Sequence, residues 1–272
     1  MKRAGKLTYL TLVGILLFST FPLYFSLVVA SEDNSALSAV PPPLIPGVNL
    51  VANVRRVFET VPFDLALLNS LIVATITTTS VVLFSTLAGF AFAKLRFRGR
   101  TAALLIVVAT IMVPTQLGII PLFILVTKLG WNDSLLAVIV PALVNAFGVF
   151  FMTQYLSEAL PTELLEAGRV DGAGTHRLFW HVVLPVARPA AAVLGMLTFL
   201  AVWNDYMWPL VVLASPENQT VQVALSQLRA GYVQDYSLAL TGTLLATLPL
   251  VIVFGALGKQ LIGGIMAGAV KG

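Results

Sequence analysis

The chain has 272 residues, of which 58% are hydrophobic and only 10% are charged, and its mean hydropathy is +0.94. A soluble domain is about 45–50% apolar and about 25% charged, so this composition excludes an ordinary cytosolic enzyme and a nucleic-acid-binding domain. Lipid is the solvent that accommodates so much apolar surface. The formal net charge of +4 is typical of basic cytoplasmic loops. The absence of cysteine excludes disulfides, thiolate catalysis and cysteine-ligated metals.

Six apolar segments are long enough to cross a bilayer, because a helix needs about 20 residues to span a hydrocarbon core of about 30 Å. In chain order they cover residues 7–30, 65–93, 101–127, 135–155, 189–213 and 238–265. Several contain proline, which membrane helices tolerate better than soluble helices do. We therefore predict an all-α integral membrane protein with six transmembrane helices in a single transmembrane domain over residues 1–272.

The distribution of Lys and Arg predicts the orientation of these helices. With the N-terminus inside, the outer loops hold only Arg55, Arg56, Lys128 and Arg229, and the other twelve basic residues are cytoplasmic. Cytoplasmic loops carry the excess of basic residues, so both termini are predicted to be cytoplasmic. The alternative is that residues 7–30 form a cleaved signal peptide. Signal cores have about 7–15 apolar residues, which is shorter than this segment.

The outer loops differ in length and composition. Residues 31–64 contain a proline-rich stretch at 41–46, and they are predicted to form an extended, polyproline-like connector. The outer loop at 128–134 is short. The outer loop at 214–237 is long enough to fold into a small structure or to reach a partner.

The cytoplasmic loop at 156–188 is unusually long and apolar. A helix is predicted to start near Thr162, a glycine-containing turn follows at 171–174, and a second helix from Thr175 is predicted to end at Pro185. The loop has more apolar residues than a solvated loop needs. The pattern alone leaves two explanations open, which are packing against the chain's own bundle and docking of a partner.

A spaced motif lies in this loop, and it reads Glu166-Ala167-Gly168, three residues, Gly172, nine residues and Val182-Val183-Leu184-Pro185. It resembles the EAA motif of ABC-importer permeases, whose pattern is EAA, three residues, Gly, nine residues and Ile-x-Leu-Pro. The spacing matches in full. Gly168 replaces the second alanine and Val182 replaces the isoleucine, and both departures are mild.

Other stretches are similar to the smaller permease of maltose-type carbohydrate importers. They are Asn69-Ser70, residues 91–100, Met112-Val113-Pro114 with Ile120-Pro121-Leu122, Leu129-Gly130, Trp203-Asn204-Asp205 and the ending at 267–272. The resemblance covers residues from about 65 to 272 and is weakest over 31–64. It implies the architecture of a type I ABC-importer permease (MetI-like) in the bacterial inner membrane.

The resemblance also implies partners. A second permease would complete a heterodimer, two cytoplasmic ATPase subunits would supply the energy, and an extracytoplasmic sugar-binding protein or lipoprotein would deliver the solute. ATP and Mg would be held by the ATPase subunits, so this chain is expected to be a transport subunit with no cofactor, no metal and no catalytic residues. Its sequence has no phosphate-binding loop of the pattern GxxxxGK[ST], and no nucleic-acid partner is expected.

In such importers the EAA helix sits in a cleft of the ATPase. The positions that the resemblance assigns to this contact are Leu164, Leu165, Glu166, Ala167, Gly168, Asp171, Gly172 and Ala173. Glu166 would contact the ATPase, Gly172 would permit the turn, and the two leucines would fill the cleft. By the same analogy Gly268, Val270 and Lys271 would reach the ATPase dimer interface, and residues 214–237 would touch the binding protein.

Asp205 is the only carboxylate well inside a predicted span, which makes it a candidate for the solute pathway. Thr198 and Trp208 lie on the same helical face and Asn204 is adjacent. The competing interpretation, which we favour, is that these residues cap or pack the helix near the outer interface. Asn69 is likewise either a pathway residue or, preferably, part of a helix start, and the hydroxyl-rich run at 75–80 is interpreted as helix packing.

Two other functions compete with an importer subunit. A stand-alone secondary transporter of a small polar solute usually carries several intramembrane ionisable groups or inverted repeats, whereas this chain has one such acid and no evident repeat. A membrane enzyme needs a nucleophile with a base, or a metal cluster, and no such constellation is evident. The identity of the solute is beyond the sequence.

Overall fold

The computed structural model describes residues 5–35, 40–230 and 234–269. These residues form thirteen α-helices, with 3₁₀ turns and one π turn between some of them. In chain order the helices are α1 (Lys6–Ala30), α2 (Leu50–Thr60), α3 (Phe63–Lys94), α4 (Arg100–Ile111), α5 (Ile119–Lys128), α6 (Leu135–Ile139), α7 (Ala146–Ala159), α8 (Thr162–Val170), α9 (Thr175–Leu178), α10 (Leu184–Trp203), α11 (Met207–Val212), α12 (Val221–Gln227) and α13 (Tyr236–Ala269).

Among the described residues, five helical segments are long and apolar enough to cross a membrane. They are Lys6–Ala30, Phe63–Lys94, Leu135–Ala159, Thr175–Trp203 and Tyr236–Ala256. A sixth arises if the bent pair Arg100–Ile111 and Thr115–Lys128 counts as one span. The predicted all-α membrane fold is confirmed, and each of the six predicted spans overlaps one of these segments.

The third predicted span, 101–127, differs most from expectation. It was expected to be one continuous segment, but α4 and the segment Thr115–Lys128 meet at an angle of 91°. The break falls at Pro114, which lacks an N–H and disfavours helical dihedrals at the preceding residue. A single 3₁₀ turn, Thr115–Gly118, connects the break to α5. Counting apolar residues predicts the length of a span but not its direction.

The fourth span contains a smaller interruption. A 3₁₀ turn at Val140–Ala142 follows α6, and the helix restarts at α7, where the Asn145 side chain accepts a hydrogen bond of 2.6 Å from the N–H of Gly148. An asparagine in this position caps a new helix. The fourth span therefore ends at Ala159, slightly later than predicted.

The expectation that Pro185 ends the second helix of the 156–188 segment is wrong. The helix that starts at Thr175 continues through a π turn at Phe179–Val183 into α10. Pro185 lies in the first turn of α10, where a proline removes no hydrogen bond that the new helix needs. The fifth predicted span, 189–213, therefore begins earlier, and its helix is interrupted at Asn204 before α11.

The chain divides into two compact units, and the first comprises residues 1–64 and 223–249. Within it the Asn53 amide donates 2.9 Å hydrogen bonds to the carbonyls of Ala30 and Glu32, and Arg56 forms an ion pair with Asp235. Asn53 lies in α2, so the prediction of an extended connector over 31–64 is wrong for residues 50–60. The prolines that motivated it stop at Pro46, and 50–60 contains neither proline nor glycine.

The second unit comprises residues 65–222 and 250–272. One apolar cluster in it draws on α3, α7, α8, α9, the π turn and α10. The buried members are Val81, Phe90, Met152, Leu156, Leu160, Leu165, Leu178, Phe179, Val183, Ala187, Ala190 and Leu194. A second cluster joins α3, α5, α6 and α11 and contains Val73, Val126, Ala137, Val138, Ile139, Val212 and Leu213.

Candidate functional site

Helix α8 carries the EAA-like residues and is closed by a tight turn. The N–H of Gly172 bonds to the Arg169 carbonyl at 3.0 Å, and the N–H of Ala173 bonds to the Gly168 carbonyl at 2.9 Å. These two bonds form a Schellman motif, which requires a left-handed residue after the helix. Gly172 supplies it with a φ of +80°. The chain reverses at the position that the glycine pattern predicts.

A close contact across this turn fixes α8 against the following helix. A Cβ atom added to Gly168 would lie 2.5 Å from Cδ2 of Leu178, and Leu178 is buried. Gly168 therefore leaves room for a core leucine from α9. Gly168 stands where the EAA pattern has its second alanine, and the contact with Leu178 explains why this chain has glycine there.

The two leucines of α8 face opposite environments. Leu165 is 1% exposed and belongs to an apolar cluster of its own unit, whereas Leu164 is 46% exposed. The expectation that both leucines would fill a partner's cleft is therefore corrected, because the Leu165 side chain is occupied within its own chain. Leu164 alone remains available at the surface.

The rest of α8 and its turn points outward. Glu166, Ala167, Asp171 and Gly172 are exposed, and Gly168 and Ala173 are half-buried. Val170, at the end of the helix, is 88% exposed. The α8 face, which we define as Leu164, Glu166, Ala167 and Val170, thus combines exposed apolar side chains with an acid on a helix anchored from behind by Leu165.

The remaining residues predicted to contact the ATPase lie near the C-terminus. Gly268 falls within α13. Val270 and Lys271 lie outside the described residues.

A cavity of about 750 Å³ lies within the second unit, among α3, α4, α5, α6, α7, α10 and α11. Its volume is in the range of small-molecule sites. Most of the lining is apolar, and the polar side chains in it are Thr77, Thr110, Thr115, Gln116, Asn145, Thr198 and Asp205. Two aromatic residues, Phe147 and Trp208, also line it. The Trp208 indole N–H donates a 3.0 Å hydrogen bond to the Ala137 carbonyl, which orients the ring.

The cavity unites three of the five predicted pathway residues, Thr198, Asp205 and Trp208. Asp205 also lies directly before α11, beside the backbone N–H groups of Trp208, Met207 and Tyr206. The capping interpretation and the pathway interpretation of Asp205 therefore both fit this geometry.

The other two pathway candidates lie elsewhere. The Asn204 amide donates to the Leu200 carbonyl at 2.8 Å and its oxygen accepts from Gln222 at 3.3 Å. The Asn69 amide donates to the carbonyls of Glu217 and Gln219, at 2.8 and 3.1 Å. Neither residue lines the cavity, and Asn69 anchors the loop after α11 to α3.

Sequence reasoning missed the other polar lining residues. Thr77 belongs to a run interpreted as helix packing, and Gln116 and Asn145 lie in spans interpreted only by their length. The available signal was the pair of interruptions at Pro114 and Pro141, because broken hydrophobic segments mark solute sites in transporters. No group of three or more His, Cys, Asp or Glu side chains in the described part of the chain could hold a metal ion.

A network of hydrogen bonds ties the loop at 128–134 to the loop after α11. The Asp133 carboxylate accepts bonds from the backbone N–H groups of Ala214 and Ser215, both at 2.9 Å, and from the Ser215 hydroxyl. The Asn218 amide donates to the Asp133 carbonyl at 2.8 Å. The Ser215 hydroxyl bond, with the backbone bonds, lowers the pKa of the Asp133 carboxyl below its ordinary value of 3.8.

Helices that are long and apolar enough to span a membrane, together with a cavity in the second unit lined by polar and aromatic residues, indicate a polytopic membrane protein. The family described as binding-protein-dependent transport system inner membrane component matches residues 82–265. The chain belongs to this family, and it is a multi-pass protein of the bacterial inner membrane.

Curated relatives cover most of the chain. It is 34% identical over 253 residues to the lactose transport system permease protein LacG of Rhizobium radiobacter, covering 93% of this chain and 91% of the relative. It is 36% identical over 204 residues to the arabinooligosaccharides transport system permease protein AraQ of Bacillus subtilis, covering 75% and 72%. It is 30% identical over 263 residues to the sn-glycerol-3-phosphate transport system permease protein UgpE of Yersinia pestis, covering 94% and 93%.

A solved structure supports the fold. One chain of a bacterial ABC transporter involved in the import of the acidic polysaccharide alginate matches with a TM-score of 0.81 and 21% identity. The match covers 95% of this chain and 99% of that chain.

Proposed function

We propose that this chain is a membrane permease subunit of an ATP-driven, binding-protein-dependent carbohydrate importer. It forms the translocation path with a second permease, and it receives energy from two ATPase subunits that bind the α8 face. ATP and Mg are bound by those ATPase subunits. The orientation that goes with this function has both termini and α8 in the cytoplasm and the loops 31–64, 128–134 and 214–237 outside.

The observation that carries the proposal is the two-sided packing of α8. Leu165 is buried in a cluster that also contains Phe90 of α3, Met152 of α7 and Leu194 of α10. The opposite side exposes Leu164, Glu166, Ala167 and Val170. Because a close-packed core transmits displacement, a partner that moves this exposed face would move the spans with it.

The substrate class rests on the relatives and on the cavity. Two of the relatives carry the names of lactose and arabinooligosaccharide transport systems. The cavity offers hydroxyl, amide and aromatic groups, which suit a solute with many hydroxyls and flat apolar faces. By the same analogy, an extracytoplasmic sugar-binding protein docks on residues that include 214–237.

The test is assembly and activity of the complete importer. The tagged full-length chain is expressed with its second permease, ATPases and binding protein, and we measure ATPase co-purification and binding-protein-stimulated ATP hydrolysis. Glu166→Ala is expected to lower at least one of these at least tenfold, since the variant removes the charged group at the centre of the α8 face.

Glu158→Ala is the matched control. Glu158 is also an exposed acid, but it lies at the end of α7, outside the α8 face, and its removal should leave both readouts within twofold of wild type. If Glu166→Ala inserts normally and leaves assembly and stimulated hydrolysis unchanged, the proposed coupling role is wrong.

A further inference from the structure

The connection between α3 and α4 concentrates positive charge beside two apolar helices. Four of the seven residues at 94–100 are basic, and they are Lys94, Arg96, Arg98 and Arg100. No Asp or Glu occurs anywhere in residues 65–132, so the neighbouring sequence does not neutralise this charge. The connection itself has only five residues, 95–99, and Gly99 permits the reversal with a φ of +78°.

Two of the four cations hold the connection in place. The Lys94 ammonium donates a 3.0 Å hydrogen bond to the Ser157 carbonyl of α7, and the Arg100 guanidinium donates to the Leu95 carbonyl at 3.3 Å. Both of these basic residues are half-buried. Leu95 packs against the apolar cluster of α3, α7 and α10. Residues 94–100 therefore form a surface with a fixed backbone rather than a loose loop.

The other two cations are unused by the fold. Arg96 and Arg98 are exposed, and neither forms a hydrogen bond or an ion pair with another of the described residues. Phe97, between them in the sequence, is 45% exposed, and its ring contacts Phe92 of α3 with the ring centroids 5.8 Å apart. Two free guanidinium groups on either side of an apolar ring are typical of protein surfaces at the boundary between lipid headgroups and acyl chains.

We propose that Arg96 and Arg98 bind the phosphate group of an anionic phospholipid, which lies in the cytoplasmic leaflet if the proposed orientation is correct. Guanidinium groups donate paired hydrogen bonds to phosphate oxygens, and clusters of basic residues beside a membrane span attract anionic lipids.

The short connection favours a lipid over an ATPase subunit as the partner. The middle of a five-residue connection lies at most about 10 Å from a helix end, which is close to the depth of the lipid headgroup layer. Residues 94–100 therefore remain beside the bilayer. The proposal goes beyond the proposed function, because neither the solute nor the ATPase takes part in this contact.

The test measures lipid contact at this one segment. The complete importer is placed in nanodiscs of phosphatidylglycerol and phosphatidylcholine in equal parts, with a trace of a photoreactive analogue of one lipid or the other. After illumination, mass spectrometry of chymotryptic peptides gives the fraction of the peptide containing residues 94–100 that carries the lipid. We expect phosphatidylglycerol to label this peptide at least about fivefold more than phosphatidylcholine, because only phosphatidylglycerol has a net negative charge. Equal labelling by the two lipids overturns the inference.

Variants assign the contact to the two free arginines. Arg96→Gln/Arg98→Gln is expected to lower the preference for phosphatidylglycerol below about twofold, because attraction to anionic lipid grows with each basic residue. Arg96→Lys/Arg98→Lys keeps the charge and should retain most of the preference. The matched control, Arg55→Gln/Lys128→Gln, removes the same charge from two exposed residues outside 94–100 and should leave the preference unchanged. A preference that survives Arg96→Gln/Arg98→Gln, or that falls equally in the control, overturns the inference.

Other partners of this surface give different results. If it binds free phosphate, inorganic phosphate suppresses the labelling at an ionic strength at which sodium chloride does not, and the assignment to a lipid is wrong. If it binds an ATPase subunit, Arg96→Gln/Arg98→Gln lowers ATPase co-purification and leaves the lipid preference unchanged, which also overturns the inference. An importer that keeps the lipid preference but does not couple ATP hydrolysis to its binding protein counts against the proposed function instead.

Discussion

Asp133 adopts a backbone conformation that only few residue types accept. Its φ is +58°, and it is the only residue other than glycine with a positive φ in the described ranges. Aspartate and asparagine tolerate this left-handed region better than other side chains do. The conformation aims the carboxylate at the N–H groups of Ala214 and Ser215, so one residue joins two loops that are distant in the sequence.

This geometry predicts a pH dependence. The pKa of Asp133 in the folded chain is below its ordinary value of 3.8, chiefly because the Ser215 hydroxyl donates to it. A lowered folded-state pKa stabilises the fold at pH values above the unfolded pKa, and this contribution is lost as the pH falls through the folded-state value. Asp133→Asn keeps the left-handed conformation accessible but removes the charge. We expect it to lower the stability by about 1 kcal/mol at neutral pH, a modest value because Asp133 is only half-buried.

The measurement is thermal unfolding of the detergent-purified importer between pH 6 and pH 3. The difference in midpoint between wild type and Asp133→Asn should be constant at the upper end and should shrink below about pH 4. A difference that stays constant down to pH 3 would contradict this account of the loop contact.

Gly168 and Leu178 form a second pair whose energetics can be tested. Gly168→Ala places a Cβ 2.5 Å from Cδ2 of a buried leucine, so Leu178 must move, at a cost of about 1–3 kcal/mol from overpacking. The gain in helix propensity offsets about 1 kcal/mol of this cost. Leu178→Ala alone should cost about 2–5 kcal/mol. The double variant should be more stable than the sum of the two losses predicts, because the shortened side chain removes the clash.

A double-mutant cycle of unfolding midpoints gives the coupling between these residues. If the stability losses of the two single variants add up to that of the double variant, and the variants retain the α8 turn, then the packing of Leu178 does not require Gly168.

Helix α8 has two sides with different roles: its buried side packs into the helical bundle, and its exposed side forms a surface. The adjacent residues Leu164 and Leu165 separate the two roles. Leu165→Ala removes a fully buried side chain and should destabilise the chain by about 2–5 kcal/mol. Leu164→Ala should change the stability by about 0.5 kcal/mol or less, as surface substitutions do, but it should reduce the ATPase that co-purifies, because Leu164 belongs to the α8 face.

The measurement pairs a thermal unfolding curve of the permease with a pull-down of the ATPase. If both variants reduce co-purified ATPase only in proportion to their loss of stability, Leu164 has no separate role at the surface.

The helices of this fold differ in how well the sequence predicts them. Long apolar runs predict α1, α3 and α13 because lipid requires continuous helices of that length. The sequence does not determine what a proline does within a run. Pro114 breaks a span at 91°, whereas Pro185 starts the first turn of a helix that continues the preceding one. Tertiary packing decides between these outcomes. Helix α2 was missed because nearby prolines outweighed its own pattern.

The sequence predicts which residues are candidates for the solute site, but it does not predict how the folded molecule arranges them. Asp205 is conspicuous as a charge in an apolar segment, and it does line the cavity. Asn69 is also a polar residue in an apolar segment, yet its amide already donates hydrogen bonds to the carbonyls of Glu217 and Gln219. Thr77 is indistinguishable from its hydroxyl neighbours in the sequence, and only the fold shows that it belongs to the cavity lining. Residue type indicates what a side chain can bind, and the tertiary structure determines whether that capacity is already satisfied.

The orientation of the chain is a prediction for the molecule as a whole, because twelve of its sixteen basic residues fall on one side of the membrane in the cytoplasmic-termini arrangement. The sequence contains no cysteine, so a single introduced cysteine is the only residue of this chain that a maleimide can label, and its labelling reports on which side of the membrane it lies. In spheroplasts, a membrane-impermeant maleimide should label Lys128→Cys and Glu59→Cys, both at exposed positions. Thr175→Cys, at the exposed start of α9, should be labelled only after the membrane is permeabilised. Labelling of Thr175→Cys in sealed spheroplasts would place α8 and its EAA-like residues outside, where no ATPase could reach them.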